Sequence, residues 1–185
     1  MSKPNPVLLL LLAVVISFAV FLKVSSPHKK YSTRGFWESA TIESVREVPD
    51  EVLADGNENG PVLMWASIAS VNPDVIEAII ARGVDVNESD VIFQGTALSA
   101  AATYNSNPEV INVLVENGAD IHQQVMHGQD ALMLAAQFNE NESIIKALLR
   151  NGADTTRKSS SGKTALDYAE EYKNKAAVSV LKERV

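Results

Sequence analysis

The chain of 185 residues contains no cysteine. A disulfide framework, a thiolate nucleophile, a cysteine-ligated metal and a lipid anchor on cysteine are therefore excluded. Histidine is nearly as scarce, since it occurs only at His28, His122 and His127. The last two lie in one predicted turn without a well-placed pair of carboxylates, so we interpret them as surface residues and predict no metal site.

Catalytic motifs are missing as well. The sequence has no Gly-x-Ser-x-Gly nucleophile elbow. The run Ser161-Gly162-Lys163-Thr164 resembles the end of a phosphate-binding loop, but that pattern requires a glycine where Arg157 stands. We therefore predict a chain with neither enzymatic activity nor a cofactor, and an enzyme is only a remote alternative.

Acidic residues are absent from the beginning of the chain and in excess after it. Residues 1–34 hold five Lys or Arg and no Asp or Glu, so within a total formal charge of −7 residues 35–185 carry −12. An acidic domain repels phosphate backbones, which argues against a nucleic-acid ligand. The same charge favours solubility and permits a partner with a basic surface.

Residues 7–22 form the one long apolar run, interrupted only by Ser17. The run is slightly short for a spanning helix of about 17–25 residues and long for a signal-peptide core of about 7–15 residues. We predict that residues 1–26 are an uncleaved signal anchor, with a cleaved signal peptide as the alternative. Residues 27–34 then form a basic linker.

The side of the membrane is ambiguous from sequence. Lys3 precedes the apolar run, whereas Lys23, Lys29, Lys30 and Arg34 follow it. The positive-inside rule places the following residues in the cytoplasm. A signal-like interpretation instead places them outside it, in the periplasm if the cell is bacterial.

One stretch of the chain occurs almost three times. Residues 107–120 read NPEVINVLVENGAD, residues 72–85 read NPDVIEAIIARGVD, and residues 141–154 read NESIIKALLRNGAD. The copies begin at positions 72, 107 and 141, and this nearly constant spacing is typical of stacked repeat proteins. Each copy predicts one short helix, which needs neighbours because short helices are marginally stable alone.

The same helix signals recur in every copy. An asparagine side chain can cap the first turn, apolar pairs one turn apart form a single face, and a glycine allows a left-handed helix end. The asparagines are Asn72, Asn107 and Asn141, and the glycines are Gly83, Gly118 and Gly152.

A second motif precedes each capping asparagine. It reads PVLMWA at 61–66, TALSAA at 96–101, DALMLA at 130–135 and TALDYA at 164–169. Together with the G-A-D ending, the motif closely resembles the ankyrin repeat, whose helices start with T-P-L-H-x-A. The resemblance implies an all-α solenoid of stacked helix-turn-helix repeats with projecting β-turns, which follows one N-terminal hydrophobic helix.

The predicted repeats occupy residues 59–93, 94–127, 128–161 and 162–185. Residues 35–58 predict a divergent capping repeat with helices at 36–40 and 43–48, the second ended by Pro49. Terminal repeats of a stack are usually atypical because one side has no neighbour.

The copies depart from the family pattern at three places. The proline of the helix start is replaced by Val62, Ala97, Ala131 and Ala165. The histidine of the helix start is replaced by Met64, Ser99, Met133 and Asp167, so the family's Thr–His hydrogen bond cannot form. The glycine between the helices is also missing, and residues 104–106 and 138–140 stand there instead. We therefore expect these repeats to be less stable than consensus repeats.

The resemblance implies that a monomer binds a protein partner through its concave face and its projecting turns, which lie at 87–94, 122–128 and 156–161. Exposed apolar neighbours are candidate contact points, and the alternative is that Ile92 or Phe93 folds back on the stack. A dedicated inhibitor or immunity-type protein that blocks one enzyme or toxin is the alternative function. The candidate partner-binding residues are Val91, Ile92, Phe93, Met126, His127, Arg157 and Lys158.

Aromatic residues also recur at the ends of the predicted inner helices. Tyr104, Phe138 and Tyr172 occupy the same position in successive copies of the repeat. An aromatic row of this kind more often packs repeats together than binds a partner, so we predict a structural role for it.

Overall fold

The computed structural model describes residues 29–54, 61–91 and 94–183. The chain divides into two compact units, Met1–Lys30 and Tyr31–Val185. The apolar run at 7–22 and the candidate residues Ile92 and Phe93 lie outside the described residues. Within the described ranges, no helix is both long enough and apolar enough to cross a membrane.

The second unit consists of short helices in antiparallel pairs, and we call the first helix of each pair inner and the second outer. A short 3-10 helix, Lys29–Ser32, begins the described part of the chain, and another, Met126–Gly128, lies between two pairs. The described residues contain one isolated β-bridge, between Ser89 and Thr96, and no strand. The α-helices are α1 (Arg34–Glu38), α2 (Ile42–Arg46), α3 (Asp50–Ala54), α4 (Val62–Ala69), α5 (Pro73–Ile80), α6 (Ala97–Tyr104), α7 (Pro108–Glu116), α8 (Ala131–Phe138), α9 (Glu142–Arg150), α10 (Ala165–Glu171) and α11 (Lys175–Lys182).

The predicted helix caps of the outer helices are confirmed. The side-chain oxygens of Asn72, Asn107 and Asn141 each accept a hydrogen bond from the backbone N–H two residues later, at 3.0, 3.0 and 2.9 Å. The glycines that follow α5, α7 and α9 have φ angles of +87°, +93° and +93°. This left-handed conformation is the one that favours glycine at a helix end.

The helices form two layers. Inner helices α4, α6, α8 and α10 pack in series, and outer helices α5, α7, α9 and α11 pack in a parallel series behind them. Small residues allow the inner layer to pack closely, and Ala101, Ala102, Ala135 and Ala136 are fully buried. Helices α1 and α2 cover the N-terminal end of the two layers. The predicted all-α stack is therefore confirmed for the described residues.

The N-terminal cap is built on aromatic packing. Trp37 is fully buried and donates from its indole N–H to the Tyr31 carbonyl at 2.6 Å, while the Tyr31 hydroxyl donates to the Glu47 carbonyl at 3.0 Å. Tyr31 is only 4% exposed, so the packed unit begins within the stretch 27–34 that the sequence suggested as a linker. Helix α3 is absent from the sequence prediction, because Pro49 indicates only the end of the preceding helix.

The junctions between inner and outer helices contain a ladder of buried asparagines. Asn105 donates to the carbonyls of Ser67 and Ser70, both at 2.8 Å, in the preceding repeat. In the next repeat, the Asn139 side chain donates in the same way to the carbonyls of Ala102 and Asn105, both at 3.0 Å. Asn174 continues it, with bonds of 3.0 and 2.9 Å to the carbonyls of Ala136 and Asn139. We call Asn105, Asn139 and Asn174 the asparagine ladder.

The inner helices also compensate locally for the missing family histidine. Ser99 and Asp167 form capping boxes with Thr96 and Thr164, in which each side chain bonds the partner's backbone N–H. In the third repeat Asp130 caps α8 by accepting from the Met133 N–H at 3.0 Å. The Thr–His hydrogen bond is therefore replaced by other cap hydrogen bonds at these helix starts.

Candidate functional site

The candidate residues lie on turns that connect an outer helix to the next inner helix. Val91 lies on the first of these turns, and it is 71% exposed, more than any other large hydrophobic residue in the described ranges. Asn87 fixes the base of this turn, since it donates to the Gly118 carbonyl at 2.9 Å and accepts from the Asp120 N–H at 2.8 Å. Ile92 and Phe93 follow Val91 directly but are not among the described residues.

The second turn contains Met126 and His127 in a short 3-10 helix. His127 is exposed and has a φ of +65°, while Met126 is half-buried. Two backbone hydrogen bonds close the turn: Val125 N–H donates to the Gln129 carbonyl at 2.8 Å and Gly128 N–H to the Val125 carbonyl at 2.9 Å. Met126 and His127 therefore belong to a closed loop, in which His127 is the more exposed of the two.

The second and third turns are bonded to each other. The Ser160 N–H donates to the His127 carbonyl at 3.0 Å. The Gln124 side-chain amide donates to the Gly128 carbonyl at 2.8 Å and to the Lys158 carbonyl at 3.3 Å. The two turns thus form one surface that presents Met126, His127 and Lys158; we call this surface the paired turns.

Gly128 lies in the second turn against Ser160 of the third turn. A Cβ atom at this position would lie 2.8 Å from the Ser160 backbone nitrogen, and its φ is +67°. Both the space and the backbone angle favour glycine here.

Arg157 on the third turn makes two contacts within the protein. Its guanidinium Nη2 donates to the His122 carbonyl at 3.0 Å, and its Nε lies 3.4 Å from the Asp130 carboxylate. The Arg157 side chain is 33% exposed and the Asp130 side chain only 3%. Arg157 therefore connects the third turn to the second turn and to the start of α8, whereas Lys158 is exposed.

Burial controls the protonation of Asp130. Loss of water raises the pKa of its carboxyl, and the Met133 N–H hydrogen bond and the Arg157 charge only partly oppose this effect. The Asp154 carboxyl in the neighbouring turn shows the opposite behaviour, because hydrogen bonds from Thr156 lower its pKa. The site therefore contains one carboxylate whose charge is costly and one whose charge is stabilised.

The aromatic row behaves only partly as predicted. Phe138 and Tyr172 pack edge to face with ring centroids 5.8 Å apart, which agrees with inter-repeat packing. Tyr104 is 43% exposed, and Val71, which lies between helices α4 and α5, is 53% exposed. Sequence reasoning did not identify Val71, although its place between the motif of α4 and the cap of α5 marked it as a junction residue.

The residues that resembled a phosphate-binding loop have structural roles. Thr164 caps α10, and the Lys163 ammonium pairs with the Glu171 carboxylate at 2.6 Å. In the described ranges, no group of three or more His, Cys, Asp or Glu side chains is placed to hold a metal ion.

The helices from α4 onward match the profile of a known protein family. The family profile for Ankyrin repeats (3 copies) matches residues 63–159 and, in an overlapping alignment, residues 98–184. A search of curated proteins found no match. Together the two alignments cover α4 to α11, with all three turns.

Proposed function

Because this chain belongs to the ankyrin-repeat family, we propose that it is a non-catalytic module that binds a protein partner through its concave face and projecting turns. Ankyrin repeats are generally protein–protein interaction modules and generally have no catalytic activity. We propose further that the apolar residues 7–22 tether the module to a membrane or direct its export.

The paired turns carry this proposal. Met126, His127 and Lys158 project from two loops that share backbone and side-chain hydrogen bonds, including Ser160 N–H to the His127 carbonyl at 3.0 Å. A surface that is already ordered loses little conformational entropy on binding, which favours affinity. Methionine is enriched at protein contact surfaces, and exposed apolar side chains are candidate contact points.

Val91 extends the proposed surface to the preceding turn. Val91 is 71% exposed, so its burial against a partner would remove much apolar surface from water and stabilise the complex. Arg157 contributes indirectly, because its bonds to His122 and Asp130 hold the third turn in place.

The test is capture of partners from native cells by the full-length protein after detergent solubilisation. The variant Val91→Glu/Met126→Glu adds two charges to the proposed surface. Ile42→Glu is the matched control, because Ile42 is also an exposed aliphatic residue at 44% but lies in the N-terminal cap. We expect one partner to be retained by wild type and by Ile42→Glu and lost by the double variant. Equal retention by all three proteins would reject the turns as the binding surface.

The captured partner also decides between a general module and the inhibitor alternative. If the partner is an enzyme or toxin, its activity is measured with increasing amounts of the protein. Stoichiometric loss of activity identifies a dedicated inhibitor, and unchanged activity identifies a binding module.

A further inference from the structure

The asparagine ladder does not extend to the N-terminal cap, which comprises residues 31–54. Each asparagine of the ladder bonds two carbonyls of the preceding repeat. In the first repeat, Ser70 occupies the C-cap of α4, where Asn105 stands in α6. Within the described residues, the hydroxyl of the buried Ser70 bonds only backbone groups of Asn72, at 3.3 and 3.5 Å. The first repeat is therefore not joined to the N-terminal cap by a residue of the ladder.

The asparagines that cap the outer helices show the same difference. Asn107 donates from its side-chain amide to the Val71 carbonyl at 2.6 Å, and Asn141 donates to the Ser106 carbonyl at 2.8 Å. Both bonds cross a boundary between repeats. The Asn72 side chain accepts from the backbone of its own helix α5, and among the described residues its amide makes no bond to the N-terminal cap. Two kinds of bond that join the later repeats are therefore missing at this boundary.

Arg82 crosses the boundary instead. Its guanidinium Nη1 donates to the carbonyls of Val45 and Val48 at 2.7 and 2.6 Å, and its Nη2 pairs with the Asp50 carboxylate. The two carbonyls belong to the end of α2 and the residues that follow it. The Arg82 side chain is only 23% exposed. One side chain that follows α5 is thus bonded to the N-terminal cap at three places.

Arg82 is itself a departure from the repeated pattern. The residue before the glycine that ends the outer helix is Arg82 in the first copy, and it is Asn117 and Asn151 in the next two. Asn117 donates to a carbonyl of its own helix at 2.8 Å. Asn151 donates to a carbonyl of its own helix at 2.9 Å and to the Asn112 side chain at 2.8 Å. The long arginine therefore occurs in the copy whose preceding neighbour is the N-terminal cap.

The carbonyl bonds of Arg82 contribute more to this contact than its ion pair. The Asp50 side chain is 93% exposed, and exposed ion pairs contribute little because water screens them. Hydrogen bonds from a charged donor are stronger than bonds between neutral groups. The C-terminal end of α2 also favours a positive charge because of the helix dipole.

Apolar packing holds the same boundary. Helix α1 packs on α4, and α2 packs on α5. Trp37, Val45 and Val48 of the N-terminal cap are at most 1% exposed. Loss of the Arg82 bonds leaves this packing in place, so it makes opening of the N-terminal cap more frequent rather than permanent.

We propose that the N-terminal cap opens as a unit while the repeats stay folded, and that Arg82 keeps it closed through its bonds to the carbonyls of Val45 and Val48. Repeats of a stack contact only their neighbours, so an end unit joined by fewer bonds separates first. Opening exposes the apolar faces of α4 and α5 that the N-terminal cap covers. Since the N-terminal cap follows residues 7–22 in sequence, opening also adds residues to the connection between the proposed tether and the repeats.

The test is hydrogen–deuterium exchange of the full-length protein in detergent micelles, measured by mass spectrometry of peptides from α1–α2 and from α8–α9. In the wild-type protein we expect the amides of α1–α2 to be less protected than those of α8–α9. Arg82→Ala is expected to speed exchange in α1–α2 about tenfold, because hydrogen bonds from a charged donor are lost. Exchange in α8–α9 is expected to stay within about twofold of wild type.

Three further variants separate the carbonyl bonds from the other interactions of arginine. Arg46→Ala is the matched control, because Arg46 of the N-terminal cap is 72% exposed and pairs with Glu43 of its own helix at 3.1 Å. Asp50→Asn removes the ion pair of Arg82 but not its carbonyl bonds. Both variants are expected to leave exchange in α1–α2 within about twofold of wild type. Arg82→Lys keeps the charge without the planar fork and is expected to give an intermediate rate.

Three results would overturn the inference. Equal acceleration in α1–α2 and α8–α9 by Arg82→Ala would show that the N-terminal cap opens only with the whole stack. Unchanged exchange in α1–α2 would show that apolar packing alone keeps it closed. Acceleration by Asp50→Asn equal to that by Arg82→Ala would assign the effect to the ion pair. Exchange is measured without a partner, so its outcome is independent of the capture experiment on the paired turns.

Discussion

Buried asparagine side chains each make three hydrogen bonds to backbone groups at the ends of the inner helices. The Asn139 amide donates to the carbonyls of Ala102 and Asn105, both at 3.0 Å, and its oxygen accepts from the Asn141 N–H at 3.0 Å. A buried polar group without a partner costs about 1–3 kcal/mol. One side chain therefore satisfies three backbone groups that the junction would otherwise leave unpaired.

Replacing Asn139 with alanine tests this role. We expect Asn139→Ala to lower the free energy of unfolding by about 3 kcal/mol, because two carbonyls and one N–H lose their partner. At about 2–4 °C per kcal/mol for a domain of this size, the melting temperature falls by about 6–12 °C. Asn117→Ala is the control, since Asn117 is exposed and bonds only within its own helix end. Similar losses in the two variants, measured by urea and thermal unfolding, would contradict the prediction.

Gly128 provides a second test at the residue scale. Left-handed backbone strain alone costs about 1–2 kcal/mol. We expect Gly128→Ala to cost more than this strain, because the new Cβ would lie 2.8 Å from the Ser160 nitrogen. Gly118→Ala isolates the strain, since its φ is +93° and nothing lies within 4 Å of the added Cβ. Urea unfolding of both variants gives the difference, and equal losses would show that the paired turns separate at no cost.

The asparagines that cap the outer helices and the asparagines of the ladder differ in how well the sequence predicts their roles. Asn107 is predictable as a helix cap because capping depends on residues within two or three positions. Asn105 lies two residues earlier, and the sequence marks it only as a departure from the family glycine. Its partners, the carbonyls of Ser67 and Ser70, belong to the preceding repeat, and no local pattern identifies them. The expectation that these repeats are less stable than consensus ones is a prediction that the unfolding measurements test.

At the scale of elements, the start of α8 is joined to the third turn by the Asp130–Arg157 pair. Asp130 occupies the position of Thr96 and Thr164 in other repeats, but it brings a charge into a site where it is 3% exposed. Buried ion pairs stabilise a fold weakly because desolvation opposes their attraction. The pair therefore fixes the position of the turn more than it strengthens the stack.

The pH dependence of stability follows from the raised pKa of Asp130. Since its pKa is higher in the folded state, the contribution of Asp130 is fully present below the unfolded pKa of about 3.9 and is lost as pH rises through the folded pKa. Asp130→Asn keeps the cap but cannot titrate. We expect the unfolding free energy of Asp130→Asn minus that of wild type to increase as pH rises from about 4 to 7. The difference is measured by urea unfolding across this range. A difference that stays constant or decreases would show that the Arg157 charge outweighs burial in setting the pKa of Asp130.

Element prediction succeeds where the signal is repeated and fails where it occurs once. The outer helices begin at their predicted asparagines, because three copies of one pattern reinforce each other. Helix α3 has no counterpart among the repeats and follows Pro49, so nothing in its own sequence distinguishes it from a turn. The bonds between the paired turns are also beyond prediction, because they join backbone groups of two different repeats.

At the scale of the whole molecule, the stack explains why stability and binding are separable. Apolar residues fill both layers, such as Leu132 of an inner helix and Ile76 and Ile111 of outer helices, all buried. Exposed side chains of the turns, such as those of Val91 and Lys158, lie outside this core, so they can vary without disturbing the helices. Repeat architecture is predictable from period and caps alone, whereas exposure of Val71 and Tyr104 depends on how neighbouring repeats pack.

The proposed membrane tether belongs to the scale of the whole molecule, and the proposal rests on the apolar sequence of residues 7–22. We expect the full-length protein to remain with membranes after an alkaline carbonate wash, since a run of this hydropathy partitions into lipid. Leu11→Arg/Val14→Arg places two charges at the centre of the run, at about 2.5–3.5 kcal/mol each, and is expected to release the protein. Val91→Arg is the control, because it adds a charge to an exposed turn of the repeats. If the wild-type protein is instead shortened and released by the wash, the N-terminal segment is a cleaved signal peptide. For a protein that stays with the membrane, protease protection of the repeats in sealed vesicles determines on which side of the membrane the repeats meet their partner.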